Sequence, residues 1–270
     1  MLNLDGRQVD FVESGEETPI LFVPGSFAAP AAWRGIQKLL PQNYRFVATS
    51  ICGYGNTAET RSLDDLGMDH QLRIVQAVAD EIGEPFHLVG HSFGGAIALA
   101  SALPDSLDIL SIATFEANPL RMIAHGGNDA LFDQAREMSQ AFEIAHFDGE
   151  RDAAARIIDY WGGNGSFAAM PSVVQEYCRD RCYSNVLDWR TAYTFKATPA
   201  DYARLPMPVL LVRGSLANDA MVSLTNALAA SVPNARTAVV DGASHFLIST
   251  HPEECARLLG NFLSEIGESR

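Results

Sequence analysis

Residues 86–95 have the sequence FHLVGHSFGG and contain the turn that decides the fold. The apolar run Phe86–Val89 is typical of a buried strand, and Ser92–Leu103 has the composition of a helix. Glycines on both sides of Ser92 permit a tight connection, because side chains there would collide with neighbouring backbone. The sequence therefore predicts that Ser92 lies at a sharp strand-to-helix turn with its hydroxyl exposed.

A serine at this place has two interpretations. The free N–H groups and the dipole of a helix N-terminus favour developing negative charge, which suits a nucleophile. The alternative is a glycine-rich turn whose serine only caps the helix. The position of Ser92 directly between a strand and a helix favours the nucleophile.

On both sides of this turn, short β-branched or aromatic runs alternate with longer helical patterns, which is typical of a mainly parallel sheet covered by helices. The predicted strands are Gln8–Glu13, Pro19–Val23, Tyr44–Thr49, Phe86–Gly90, Leu107–Phe115, Pro208–Arg213 and Arg236–Val240. The predicted helices are Ala31–Leu40, Asp69–Ile82, Ser92–Leu103, Asp219–Ser231 and Pro252–Ile266. A chain of 270 residues accommodates this pattern as one large α/β unit.

The alternation stops between Asn118 and Ala203. We predict a mainly helical insertion at residues 118–203, with residues 1–117 and 204–270 as the core. An insertion at the carboxyl edge of such a sheet covers the place where ligands bind, so we interpret it as a lid, with a passive subdomain as the alternative. Its aromatic residues either line an apolar acyl pocket or pack within the lid; they are Trp161, Phe167, Tyr177, Tyr183, Trp189 and Tyr193.

The charge and motif content exclude several classes of partner. The chain has 19 Lys and Arg against 33 Asp and Glu, a net charge of −14. A field of this sign repels phosphate backbones and anionic membranes, so neither nucleic acid nor a membrane is expected as a partner. No nucleotide-binding or metal-ligand pattern is present, which predicts no cofactor and no metal. The lack of an apolar leader or spanning segment predicts a cytoplasmic protein with free thiols.

A serine needs a base to take its proton before it acts as a nucleophile. Of the seven histidines, His245 lies in the segment DGASHF (241–246), which comes just after the last predicted strand, Arg236–Val240. The carboxyl ends of parallel strands meet at one edge of a sheet, so His245 is expected on the same side as Ser92. The alternative is an ordinary loop histidine whose ring is hydrogen-bonded locally.

Six segments resemble the α/β-hydrolase family along almost the whole chain. They are VPGSF (23–27), GYGNT (53–57), GHSFGG (90–95), FEANP (115–119), PVLLVRG (208–214) and DGASHF (241–246). The resemblance implies an α/β fold with a mostly parallel eight-strand sheet flanked by helices and a mainly helical lid inserted after strand six. It implies that Ser92 is the nucleophile and His245 the general base. It also implies an oxyanion hole formed by the backbone N–H groups of Ser26 and Phe93.

The third member of the implied catalytic triad has two candidates. Many family members carry an Asp three residues after the glycine that ends strand seven, but this position is Ala217, which cannot orient an imidazole. Glu116 directly follows the strand Leu107–Phe115, the place from which certain dehalogenases of the family take their acid. Asp219 lies two residues after Ala217 but also begins a predicted helix. We favour Glu116 and keep Asp219 as the alternative.

The resemblance implies a serine hydrolase that cleaves a small carboxylic ester, or a related acyl compound, through an acyl-enzyme. The serine at position 92 excludes epoxide hydrolases and dehalogenases of this fold, because those enzymes need an aspartate nucleophile. Alternatives on the same triad are hydrolysis of a C–C bond in a ring-fission product, of a lactone or of a thioester. An alternative of another class is a ligand-binding receptor with vestigial hydrolysis.

Overall fold

The computed structural model of the chain describes residues 1–104 and 106–268. The strands are β1 (Leu2–Leu4), β2 (Arg7–Val9), β3 (Val12–Ser14), β4 (Pro19–Val23), β5 (Arg45–Ala48), β6 (Phe86–His91), β7 (Ile109–Phe115), β8 (Val209–Gly214) and β9 (Ala235–Val240). A short 3-10 helix covers Pro30–Trp33. The helices are α1 (Arg34–Gln37), α2 (Asp69–Ile82), α3 (Phe93–Ser101), α4 (Arg121–His125), α5 (Asp129–Phe147), α6 (Ala154–Gly162), α7 (Ser172–Asp180), α8 (Cys182–Thr194), α9 (Pro199–Tyr202), α10 (Asp219–Ser231), α11 (Leu247–Thr250) and α12 (Pro252–Glu268).

In the described residues, the main sheet has seven strands in the order β3-β5-β4-β6-β7-β8-β9. Neighbouring strands run parallel except β3, which pairs antiparallel with β5. The strand count differs from the predicted eight, because β1 and β2 pair only with each other in a separate hairpin. The mostly parallel α/β architecture predicted from the alternating pattern is confirmed.

The predicted edge strand Gln8–Glu13 is interrupted at Asp10. The Asp10 N–H donates to Thr57 Oγ1 at 2.9 Å, and the Asp10 carbonyl accepts from Thr49 Oγ1 at 2.7 Å. Because the Thr57 side chain takes its only N–H, Asp10 cannot donate to a strand ladder. The segment is therefore divided into β2, in the hairpin, and β3, at the edge of the main sheet.

The strand β4 supplies apolar side chains to a hydrophobic core on each face of the sheet. Ile20 and Phe22 pack in the core that includes α1, α11 and α12, whereas Leu21 and Val23 pack in the core that includes α2, α3 and α10. Successive residues of a strand point to opposite faces, so a run without polar residues fits a strand covered on both sides. The predicted strand Pro19–Val23 is confirmed.

Residues 118–203, all of which the structure describes, contain helices α4 to α9 and no strand. They lie between β7 and β8, two neighbouring parallel strands of the sheet. This segment is called the helical insertion below; its division from the core at residues 118 and 203 stays a prediction. In the part of the chain that the structure describes, no helix is both long enough and apolar enough to cross a membrane.

Replacement of Gly94 by alanine is expected to destabilise the fold. A Cβ atom at position 94 would lie 2.2 Å from the Pro24 carbonyl oxygen and 2.5 Å from that of Val23. These oxygens belong to backbone and move only if the end of β4 and the loop after it shift, so we expect a loss of about 1–3 kcal/mol in the free energy of unfolding. Urea titration measures this loss as a lower unfolding midpoint.

The matched control for this prediction is the substitution of alanine for Gly260. This glycine also lies in a helix, α12, but a Cβ there would meet only Leu40 Cδ2, at an ordinary contact distance of 3.7 Å. We expect the control to be neutral or stabilised by up to about 1 kcal/mol. Equal unfolding midpoints for the two variants would contradict the close approach at Gly94.

Candidate active site

The tight turn predicted at Ser92 is present between β6 and α3. The Ser92 backbone has φ 52° and ψ −124°, and a positive φ is uncommon for residues other than glycine. Its N–H donates to the Phe115 carbonyl at 2.9 Å, and its own carbonyl accepts from the N–H groups of Gly95 and Ala96. The turn is therefore held by β7 on one side and by the first turn of α3 on the other.

His245 lies in the loop after β9, and its ring contacts the Ser92 side chain. The distance between His245 Nε2 and Ser92 Oγ is 2.9 Å, although the two residues are 153 positions apart. Both side chains are buried. The structure therefore brings together the serine and the histidine that the sequence analysis singled out.

Glu116 follows β7 directly and completes a chain of hydrogen bonds. Its Oε2 is 2.7 Å from His245 Nδ1, and its Oε1 accepts from the Gly214 N–H at 2.8 Å. A carboxylate only accepts hydrogen bonds, so Nδ1 carries the proton and Nε2 is left to accept from the Ser92 hydroxyl. The Glu116 side chain is thus placed to orient the imidazole and to stabilise its charged form.

The alternative acid, Asp219, has a different environment. It is an exposed residue at the start of α10. The helix is capped by its neighbour Asn218, whose side chain accepts from the Met221 N–H at 2.9 Å. Among the described residues, His245 has its carboxylate partner in Glu116, and no hydrogen bond or ion pair joins Asp219 to the imidazole.

The backbone N–H groups of Ser26 and Phe93 lie on two segments that border the same cavity as Ser92. Phe93 is the first residue of α3, where a helix leaves its N–H groups without intrahelical partners. The loop before Ser26 approaches the nucleophile closely, because a Cβ at Gly25 would lie 2.8 Å from Ser92 Cβ. Among the backbone hydrogen bonds that the described residues form in turns, loops and helix caps, none is donated by the N–H of Ser26 or of Phe93. The two amides therefore remain candidates for an oxyanion hole.

His91, next to the serine, is a buried neutral group. Burial, and to a smaller extent the nearby His245 ring, lowers the pKa of His91 to about 3. Its Nε2 is 2.9 Å from the His245 carbonyl oxygen, which can only accept, so Nε2 carries the proton. This hydrogen bond holds the backbone of the loop that carries His245.

A cavity of about 250 Å³ has Ser92 and His245 in its wall. Most of the residues that line the cavity are apolar. The helical insertion supplies more than half of these apolar residues, among them Leu120, Ile157, Ile158, Trp161, Met170, Val174, Trp189 and Ala192. The sequence predicted that six aromatic residues of the insertion either line a pocket or pack within the lid. Of these, Trp161 and Trp189 line the cavity. The other four, Phe167, Tyr177, Tyr183 and Tyr193, do not line it.

Comparison with known families identifies the family to which the chain belongs. A model described as "Alpha/beta hydrolase family" matches residues 20–258, most of the chain. The chain belongs to the α/β-hydrolase family. The resemblance noted in the sequence motifs is thereby confirmed, together with the fold class that it implies.

Known relatives of this α/β hydrolase have several activities. Monoacylglycerol lipase ABHD6 from Bos taurus is 21% identical over 267 residues, covering 93% of this chain and 77% of the relative. The 2-hydroxymuconate semialdehyde hydrolase from Pseudomonas sp. (strain CF600) is 24% identical over 277 residues, covering 96% and 92%. Among solved structures, the esterase EaEST from Exiguobacterium antarcticum aligns with a TM-score of 0.76 at 14% identity and covers 97% of both chains. At this identity the structural likeness shows the fold alone.

Trp161 of the helical insertion stacks on the ring of His245. The ring centroids are 5.2 Å apart with an interplanar angle of 23°, and Trp189 stacks on Trp161 in turn at 5.8 Å. The face of an indole attracts a cation, typically by about 0.5–2 kcal/mol. The stack is therefore suited to stabilise His245 when its ring is protonated.

Two polar residues at the site were not singled out by the sequence analysis. Asn118 Nδ2 is 3.4 Å from Ser92 Oγ, and a signal for it existed, because it lies two residues after Glu116 at the carboxyl end of β7. Asp188 is a buried carboxylate on α8 that also borders the cavity. The only sequence feature that could have pointed to Asp188 is its position within the otherwise apolar stretch Val186–Trp189. A carboxylate there indicates a buried partner but does not identify it.

Proposed function

We propose that this α/β hydrolase cleaves carboxylic esters that carry no charged group, through an acyl-enzyme on Ser92. The observation that supports the proposal is the unbroken chain of hydrogen bonds from Ser92 Oγ to His245 and from His245 to Glu116, at 2.9 and 2.7 Å. This chain borders a mainly apolar cavity. A hydroxyl, an imidazole and a carboxylate in this order perform acyl transfer on unrelated folds.

In the first half of the proposed reaction, Ser92 Oγ attacks the ester carbonyl carbon while His245 Nε2 takes the hydroxyl proton. The carbonyl oxygen becomes an anion, which the N–H groups of Ser26 and Phe93 bind. Glu116 stabilises the imidazolium, and the Trp161 face adds to this stabilisation. His245 then gives its proton to the departing alkoxide, which leaves Ser92 acylated.

In the second half, water replaces the alcohol. His245 Nε2 takes a proton from this water, whose oxygen attacks the acyl carbon, and the same two amides bind the second oxyanion. The bond between the acyl carbon and Ser92 Oγ breaks, and His245 returns the proton to the serine oxygen. The products are an alcohol and a carboxylic acid, and the enzyme regains its starting protonation state.

The charges at the cavity favour an uncharged substrate over a carboxylate. Among the described residues that line the cavity, none is Lys or Arg, and the only carboxylate is Asp188. Arg61 lies behind Asp188, but its guanidinium is already bonded to Asp188 and Glu59. A substrate carboxylate in this cavity has no cationic partner, so its burial is unfavourable in free energy. This disfavours a dienoic acid, the substrate in the name of one relative, a 2-hydroxy-6-oxo-6-(2'-aminophenyl)hexa-2,4-dienoic acid hydrolase.

The charge preference is tested with two esters of nearly equal shape. Ethyl 4-methylpentanoate has an isopropyl group where ethyl hydrogen succinate has a carboxylate. We expect kcat/KM at pH 7 to be lower for the succinate by about 100-fold or more, because an unpaired charge loses several kcal/mol on burial and each 1.4 kcal/mol is tenfold. Equal values, or a preference for the succinate, would contradict the proposed substrate class while leaving ester hydrolysis in place.

The receptor alternative differs from the enzyme in turnover. A hydrolase is expected to react with a fluorophosphonate at Ser92 and to release product from p-nitrophenyl butyrate repeatedly. A receptor with a vestigial triad would bind a small ligand tightly and hydrolyse it no more than about once per protein molecule. Steady release of p-nitrophenol over many turnovers therefore supports the enzyme.

A further inference from the structure

Asp188 joins the helical insertion to the loop that carries one of the two candidate oxyanion amides. Its Oδ2 accepts from Ser26 Oγ at 2.6 Å and from the Tyr54 hydroxyl at 2.7 Å. Asp188 and Ser26 are 162 positions apart in the chain. Hydrogen bonds to an ionised carboxylate are stronger than those between neutral groups, so the side chain of Ser26 is held firmly from the insertion.

The neighbouring residue, Phe27, needs such support. Its φ is 58°, a conformation that a bulky side chain adopts only when its surroundings impose it. The Phe27 ring packs edge-on against Tyr54, with centroids 6.0 Å apart and an interplanar angle of 81°. Since the Tyr54 hydroxyl donates to Asp188, the same carboxylate supports Ser26 directly and Phe27 through Tyr54.

The position of Asp188 is itself fixed from a third segment. Its Oδ1 accepts from Arg61 Nη1 at 2.8 Å, and Arg61 also donates twice to Glu59, from Nε at 2.9 Å and from Nη2 at 2.8 Å. Burial raises the pKa of Asp188, and the adjacent Arg61 guanidinium opposes that rise. With Arg61 beside it, the buried carboxylate has the counter-charge that an ionised group needs.

We propose that Asp188 is a positioning residue for the oxyanion hole: through Ser26 and Tyr54 it keeps the Ser26 N–H directed at the oxygen of the tetrahedral intermediate. The inference rests on the proposed acyl-transfer function. It gives the helical insertion a part in catalysis besides covering the cavity, because α8 then carries a residue on which the hole depends.

The test is the substitution Asp188→Asn. The amide has nearly the same shape but carries no charge. If its NH₂ group faces Arg61, two donors meet; if it faces the hydroxyls of Ser26 and Tyr54, these must reverse from donating to accepting. Either way the charged hydrogen bonds that hold Ser26 are weakened. Loss of one oxyanion donor lowers kcat by about 10²–10³-fold in other hydrolases. For a donor that is displaced rather than removed, we expect kcat for p-nitrophenyl butyrate to fall by about 10–100-fold with KM changed by less than about 3-fold.

A pair of inhibitors separates a damaged oxyanion hole from a reshaped cavity. Ser92 Oγ adds to the carbonyl carbon of a trifluoromethyl ketone, and the product is a hemiketal oxyanion. The matching methyl ketone binds largely without this addition. In Asp188→Asn, affinity for the trifluoromethyl ketone is expected to fall by about the same factor as kcat, with affinity for the methyl ketone unchanged. Equal losses for both ketones, or none for either, would overturn the inference.

The matched control is Asp201→Asn, which weakens the capping box of α9 in the same helical insertion, away from the cavity. It is expected to keep wild-type kcat and both affinities. Should Asp188→Asn fail to fold, Ser26→Ala gives the answer, because it removes only the Ser26 hydrogen bond and leaves the Asp188–Arg61 pair intact. A selective loss of trifluoromethyl ketone affinity in Ser26→Ala supports the inference, and wild-type affinity overturns it.

Measurements on the wild-type protein distinguish a failure of this inference from a failure of the proposed hydrolase function. If wild type hydrolyses esters and Asp188→Asn retains full kcat and full affinity for the trifluoromethyl ketone, only the role of Asp188 is wrong. If wild type neither hydrolyses esters nor reacts with a fluorophosphonate at Ser92, the proposed function fails, and the inference fails with it.

Discussion

Replacement of Ser92 by alanine is expected to lower kcat for p-nitrophenyl butyrate on the order of 10⁵-fold. The hydroxyl lies 2.9 Å from His245 Nε2, and without it no acyl-enzyme can form. The residual rate would come from the two proposed oxyanion amides and from substrate binding, which still assist direct attack by water without a covalent intermediate. Initial rates measure the effect, and mass spectrometry after fluorophosphonate treatment shows whether the label is lost.

Ser101→Ala is the matched control for this experiment. Ser101 lies on the same helix, α3, is buried, and donates to the Ile97 carbonyl at 2.9 Å, but it does not border the cavity. The control is expected to keep wild-type kcat and labelling. If Ser92→Ala and wild type had similar rates, the nucleophile and the acyl-enzyme route would both be refuted.

The second large effect is expected for Glu116→Gln. In the variant, the carbonyl oxygen of the new side-chain amide can still accept from the Gly214 N–H, so the NH₂ group faces His245 Nδ1. A donor at that place favours the imidazole tautomer that carries its proton on Nε2, which cannot take the Ser92 proton. Loss of the negative charge also removes the stabilisation of the imidazolium, and we expect kcat to fall by about 10³–10⁴-fold.

Asp219→Asn decides between the two acids that the sequence left open. Asp219 is exposed, and the helix cap beside it is provided by Asn218, so this variant is expected to keep wild-type kcat. Urea unfolding of both variants checks that the proteins are folded when the rates are compared. The assignment of Glu116 would be wrong if Glu116→Gln kept near-full activity and Asp219→Asn lost several orders of magnitude.

Features that depend on neighbours in the sequence were predictable. The turn at Ser92 follows from glycines beside it and from a strand and a helix on either side, all within residues 86–103. The strand Pro19–Val23 and the helix Asp69–Ile82 have the predicted bounds, because a continuous apolar run and a helical stripe are local patterns. The break at Asp10 was not predictable in this way, since its backbone partners are side chains 39 and 47 positions away.

The choice between Glu116 and Asp219 depended on contacts between distant segments. Both residues follow a predicted strand closely, so spacing alone left them as alternatives. The sheet places β7 beside β8, and Glu116 therefore accepts from Gly214 across the sheet while its other oxygen meets His245. Asp219 begins the next helix and is exposed to solvent.

The amino-acid sequence by itself determined the α/β class, the strand-to-helix turn at Ser92 and the two residues, Ser92 and His245, expected at one edge of the sheet. Only the tertiary structure decided which carboxylate contacts the imidazole, which aromatic residues line the cavity, and that Asp188 bonds to Ser26. The physical reason is range: backbone propensity and hydrophobic periodicity act over a few residues, whereas a buried carboxylate is partnered by whichever donors the packed elements bring to it.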